Sequence, residues 1–144
     1  MEVVIGNLLD VTDGIIGHQT NCIGVAGAGV ARSIAQSYPG WKDTYIEVCR
    51  SYNVHELIGK LHLYTASPTL TIASLYGQRA PGKGVMTDYD ALARALTKLH
   101  ERTPPTTPIY LPYGIGCGLA GGDWGVVQPL IEEHCPRAIL VRLR

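Results

Sequence analysis

Pro112-Tyr113-Gly114-Ile115-Gly116-Cys117-Gly118-Leu119-Ala120-Gly121-Gly122-Asp123-Trp124 decides how this chain is read. A β-branched and aromatic run, Thr107 to Leu111, feeds directly into five glycines within nine residues, and an apolar, helix-length segment follows. Glycine at this density lets backbone N–H groups converge with no side chain in the way, which is what an anion such as a diphosphate requires. A loop between the carboxyl end of a strand and a helix start also gains the partial positive charge of the helix N-terminus. It is not a P-loop, because no Gly-Lys-Ser/Thr follows to meet a γ-phosphate and Mg²⁺.

A second element has the same design. His18-Gln19-Thr20-Asn21-Cys22-Ile23-Gly24-Val25-Ala26-Gly27-Ala28-Gly29-Val30-Ala31 ends a strand in polar residues, passes through small ones and enters a helix. Alone it reads equally as a tight β–α turn. Strand-like runs occur at 2–5, 14–20, 60–65, 70–75, 107–111 and 138–143, and helical periodicity at 29–37, 42–52, 88–101 and 124–133. Asp88 is placed to cap the third helix, Thr103-Pro104-Pro105-Thr106 to stop it, and Pro129 implies a kink or a late start in the fourth. Strands interleaved with helices predict an α/β fold, a three-layer α/β/α sandwich on a mostly parallel mixed sheet. Ligands in such folds sit at the carboxyl ends of strands, so both glycine elements are expected to face one cleft.

The chain has 144 residues, the size of one domain, with no visible linker or repeat. Twelve basic and twelve acidic residues cancel, without long runs of one sign, which argues against a nucleic-acid partner. No apolar stretch reaches the roughly 18 residues of a membrane span, and the first residues read as a strand rather than a leader. Cys22, Cys49, Cys117 and Cys135 show no Cys-x-x-Cys, so neither a zinc site nor a disulfide framework is indicated. A cytoplasmic, reduced setting without metal or cofactor is expected.

Asn21 followed by Gly27-Ala28-Gly29-Val30-Ala31 resembles the Asn…Gly-x-Gly-Val-Ala signature of macrodomains, the ADP-ribose-binding modules. Gly6-Asn7-Leu8 is similar to their Gly-Asp-Ile/Leu. Gly114-Ile115-Gly116-Cys117-Gly118-Leu119…Trp124 is similar to the diphosphate loop of one subgroup. That subgroup holds ADP-ribose-1''-phosphate phosphatases, ADP-ribosyl-glutamate hydrolases and a DNA-thymidine ADP-ribose glycohydrolase. Tyr38-Pro39, Tyr45 to Cys49 and Ile58 to Lys60 most resemble the phosphatase branch, and the likeness runs from about residue 5 to 135.

The resemblance implies a ligand, ADP-ribose or a derivative, free or carried on a macromolecule. It implies a site built from Asn7, Leu8, Thr20, Asn21, Cys22, Gly27 to Val30 and Tyr113 to Leu119. Asn7 stands where the family has an aspartate accepting the adenine amino group, and it also reads as a turn residue. Asn21 matches the asparagine holding the distal ribose, where an amide can both donate and accept; the plainer reading is that it braces its own turn. His18 falls where phosphatase-branch sequences carry histidine, and with an ordinary pKa of about 6.5 it would serve as general acid or base. A buried, backbone-bonded histidine is the alternative.

Asp123 could orient water, or simply cap the helix beginning at Trp124. Ala120 and Gln78 stand where the glutamate hydrolases and the thymidine glycohydrolase carry their catalytic aspartate and lysine. The leading expectation is therefore hydrolysis of ADP-ribose 1''-phosphate; a non-catalytic reader or a de-ADP-ribosylating hydrolase are the rivals. Tyr76 or Gln78 could touch the distal ribose, and Lys83 could swing over the cleft from its loop. Cys117, among converging N–H groups, is expected to have a lowered pKa. Gly116→Val is expected to block binding, and Gly40, a surface glycine, to tolerate a β-branched side chain better than the loop glycines do.

Overall fold

The computed structural model describes residues 1–144. In chain order the elements are β1 (Val3–Ile5), a 3-10 turn (Leu8–Asp10), β2 (Gly14–Thr20), α1 (Gly29–Ser37), α2 (Pro39–Ser51) and α3 (Val54–Leu57). Then come β3 (Leu61–Thr65), β4 (Leu70–Tyr76), α4 (Tyr89–Arg102), β5 (Ile109–Pro112), α5 (Trp124–His134) and β6 (Ile139–Arg142). The six strands form one sheet in the order β1-β6-β5-β2-β4-β3. Every pair is parallel except β3 with β4. That exception follows from a tight turn, in which Ser67 Oγ accepts the Leu70 N–H; a connection so short can join only antiparallel neighbours.

The two-residue period of β2 distributes the core. Ile15 packs with Leu92, Leu96 and Leu99 of α4 and Val127 and Ile131 of α5. Ile16 turns the other way, to Ile34 of α1, Trp41 and Tyr45 of α2 and Leu57 of α3. Helices thus cover both faces of a mixed sheet, the three-layer arrangement expected. Burying each large aliphatic side chain contributes roughly 1.5–3 kcal/mol, so the two clusters drive the assembly. Gly17 sits between them for want of space, since a Cβ there would lie 2.6 Å from Leu111 Cδ2.

Several boundaries move for local reasons. Pro39 occupies the first turn of α2, where a missing N–H costs nothing, so that helix begins before Lys42. α3, unexpected from the sequence, is a single turn closed by a capping box between Asn53 and Glu56. α5 starts at Trp124 and continues past Pro129, because Asp123 caps it with its carboxylate on the Gly125 N–H; a late start is not observed. Gly40 is exposed and has no positive φ, and a Cβ there would meet only the Tyr64 hydroxyl, which must move aside. No helix is long and apolar enough to cross a membrane.

Candidate functional site

β2 and β5 are adjacent in the centre of the sheet, with Ile15 beside Ile109 and Ile16 beside Tyr110. The chain leaves them for opposite faces: α1 packs into the core of Ile16, α5 into that of Ile15. The crevice between two such exits is where open α/β sheets bind ligands. Here it is a cleft of about 560 Å³. Both glycine elements line it, Gly27 to Ala31 on one side and Pro112 to Gly116 with Gly118 to Ala120 on the other. Pro81 and Gly82 of the loop after β4 complete the wall. The volume lies within the range usual for small-molecule sites.

The first wall is an open helix end. Ala28, the residue before α1, has no side chain that can bond the first turn, and no acidic residue lies there. The leading N–H groups of α1 are therefore left for whatever enters the cleft. Gly29 takes φ +62°, and the Leu119 side chain reaches across to it, 3.3 Å from where its Cβ would stand. The second wall is held open by Gly114 and Gly116, at φ +80° and +77°. The loop ties itself by Cys117 N–H to the Gly114 carbonyl (2.9 Å) and Gly122 N–H to the Gly116 carbonyl (2.9 Å). Gly27 and Gly118 face open space, with nothing within 4 Å of a Cβ and no positive φ.

Two expectations about this loop change. Asp123 occupies the N-terminus of α5, so that helix end is already satisfied by a carboxylate and adds little to an anion site. Gly116 faces the protein, because a Cβ there would lie 3.0 Å from Gln19 Oε1 and 3.2 Å from Thr87 Oγ1. Gly116→Val would distort the loop itself, which makes Gly27 and Gly118 the cleaner probes of the cleft.

The polar end of the cleft is built by β2. His18, Thr20 and Asn21 line it and are 1, 3 and 7% exposed. His18 lies edge-on to Trp41, centroids 4.9 Å apart, and neither ring nitrogen has a hydrogen-bond partner. Burial pushes its pKa down to about 3, so the imidazole is neutral near pH 7, contrary to the ordinary titration expected. Thr20 Oγ1 is likewise buried and unpartnered.

Asn21 braces its own turn. Its Oδ1 accepts the N–H groups of Ile23 (3.1 Å) and Val25 (3.2 Å) and meets the Tyr45 hydroxyl at 2.8 Å. Its Nδ2 donates to the Val25 carbonyl at 2.8 Å. The oxygen is fully engaged, so Asn21 retains one N–H to offer a ligand and no acceptor.

Other expected residues stand apart. Asn7 is exposed outside the cleft, its Oδ1 accepting the Leu9 N–H at 3.0 Å, and Leu8 is core. Cys22 is buried, directed at the Gln78 carbonyl (3.4 Å). Cys117 packs toward the core behind its loop; burial and the Asp123 carboxylate raise its pKa, the reverse of the expectation. Tyr76 is fully buried, Lys83 is exposed outside the lining, and Asp123 is a cap away from it. Gln78 does line the cleft. Gln19, Val25, Pro81 and Gly82 do too without having been singled out, although Gln19 lay inside the quoted polar strand end. No Asp, Glu, Lys or Arg contributes to the lining, and no three His, Cys, Asp or Glu side chains are grouped to hold a metal.

A three-layer sandwich with a cleft free of Asp, Glu, Lys and Arg at its central crossover defines the class: an α/β domain with its crevice between two glycine-rich loops. No family model matches the sequence, and no curated protein does. Among solved structures, a Bacteroides thetaiotaomicron protein of unknown function superposes with TM-score 0.87 at 24% identity, over 100% of this chain and 99% of its own. A macrodomain protein from Streptomyces coelicolor gives TM-score 0.79 at 22% identity, over 98% and 97%. The macrodomain of Thermus aquaticus DarG gives 0.78 at 21%, over 99% and 97%. The chain has the macrodomain fold. Thermosipho africanus DarTG, which matches 99% of this chain over 42% of its own at TM-score 0.78 and 17% identity, was solved in complex with ADP-ribose.

Proposed function

We propose that this chain binds ADP-ribose, or ADP-ribose bearing a group on its distal ribose. The observation that carries this reading is the uncapped, acid-free start of α1 facing a glycine loop across one cleft. A diphosphate is matched by convergent N–H groups where no cation is supplied. Tyr113 lines the β5 end, with the Arg142 guanidinium over its ring at 4.7 Å and Trp124 beside it at 4.9 Å, so a base has at most its remaining face. At the other end His18 and Thr20 back the wall and the free N–H of Asn21 suits a sugar hydroxyl. The macrodomain fold and the ADP-ribose in DarTG support the same ligand. Calorimetric titration with ADP-ribose tests it: saturable binding competed by ADP is expected, and no heat at saturating ligand would end the reading.

A second reading, hydrolysis of ADP-ribose 1''-phosphate, rests on His18. His18 borders the cleft with both ring nitrogens buried and unpartnered, so the ring or its cover must shift before one of them can bond a water or the ester oxygen. In that reaction water attacks phosphorus, the bond to the ribose oxygen breaks, and the ribose hydroxyl takes up a proton. A neutral imidazole can orient the water and accept its proton transiently, but it is not a standing acid at pH 7. Phosphate release lost in His18→Ala with ADP-ribose affinity kept would support it; no release by the wild-type protein would end it.

A further inference from the structure

We infer that Gln19 and Thr87 are positioning residues for the diphosphate-side loop, an inference that rests on the ligand reading above. β2's alternation turns Gln19 to the face opposite His18, toward the loops after β4 and β5. Its Nε2 donates to Thr87 Oγ1 at 2.9 Å and to Gln78 Oε1 at 3.0 Å. The amide orientation is fixed by its neighbours. Thr87 spends its proton on the Gly116 carbonyl (2.6 Å), and Gln78 spends an N–H on the Ala80 carbonyl (3.1 Å), so both present acceptors to Gln19.

The result is a relay running from the floor of the sheet to the middle of the cleft wall. The Gly116 carbonyl is held by Thr87, and its Cα packs beside Gln19 Oε1, which has no hydrogen-bond partner and would lie 3.0 Å from a Cβ there. The Met86 and Thr87 N–H groups also hold the Ala120 carbonyl, at 2.8 and 3.2 Å. Gly121 lies against the Gly84 carbonyl with no room for a side chain. The loop after β4 is therefore a buttress behind the loop after β5, and Gln19 joins both to the strand that carries the opposite wall. Neither Gln19 nor Thr87 needs to touch phosphate to set the distance across which the two walls grip it.

The test is Thr87→Val, which removes the hydroxyl and keeps the shape, alongside Thr87→Ser, which restores it. ADP-ribose and adenosine are titrated into each protein, and amide hydrogen exchange is followed at 114–122. Thr87→Val is expected to weaken ADP-ribose about tenfold, the equivalent of one buried hydrogen bond, with adenosine changed less than about twofold. Exchange at Cys117 and Gly122, whose N–H groups are bonded to the Gly114 and Gly116 carbonyls, should rise, and Thr87→Ser should recover both readouts. Equal losses for the two ligands, or wild-type ADP-ribose affinity in Thr87→Val, would overturn the inference. Absence of ADP-ribose binding by the wild-type protein would instead overturn the ligand reading. Should Thr87→Val fail to fold, Gln19→Leu with the same ligand pair decides by the same outcomes.

Discussion

The starts of α1 and α5 look alike in sequence, each a glycine-rich turn leaving a central strand, and they differ by one side chain. Asp123 bonds the Gly125 N–H at 2.8 Å and closes α5. Ala28 closes nothing, and α1 begins open on the cleft. The same contrast separates α1 from α4, where Asp88 accepts the Ala91 N–H at 3.0 Å. A carboxylate cap serves the fold; its omission at one end, in a cleft with no charged wall, leaves donors for a ligand.

The largest effect should come from erasing that difference. Ala28→Asp supplies α1 with a cap and a negative charge, so thermal stability should hold or rise while ADP-ribose affinity falls on the order of a hundredfold. A calorimetric Kd unchanged in this variant would break the comparison.

His18, behind the open end, gives the next effect. Its folded pKa of about 3 lies below the unfolded value near 6.5, so the unfolded chain binds the extra proton. Its contribution is intact above pH 6.5 and is lost as pH falls toward 3, by about 2 kcal/mol between pH 6.5 and 5. Urea unfolding across that range should show this slope, and His18→Phe should flatten it.

Gly118→Val fills open space without backbone strain. It should weaken ADP-ribose about tenfold with little change in melting temperature. Gly116→Val, at φ +77° and against Thr87, should lower both. The smallest effect on binding belongs to the closed end. Asp123→Ala should cost about 1 kcal/mol of stability, read by urea unfolding, with the ADP-ribose Kd within about twofold of wild type.

Much of this architecture was legible because its signals are local. Glycine density marked both walls, alternation gave the strands, and Asp123 and Asp88 before apolar periodic runs marked caps. What escaped depends on distant partners. Nothing beside His18 announces that Trp41 will arrive from α2 to bury it, and a histidine ending a strand reads as titratable. Tyr45 consumes the acceptor of Asn21 from across the helical layer. Gln19 meets Thr87 only once the sheet has brought β2 beside the loop that follows β4. Cys117 departs from the expectation because its thiol packs toward the core and near Asp123 rather than among the amides of the glycine loop.

The uncharged lining has a consequence for how binding responds to its medium. Fixed backbone dipoles inside a recess carry no counterion cloud to be released, so raising ionic strength from 50 to 500 mM should move the ADP-ribose Kd only about severalfold. On the proposed ligand reading, such a recess would sort anions by the spacing of their oxygens more than by their valence.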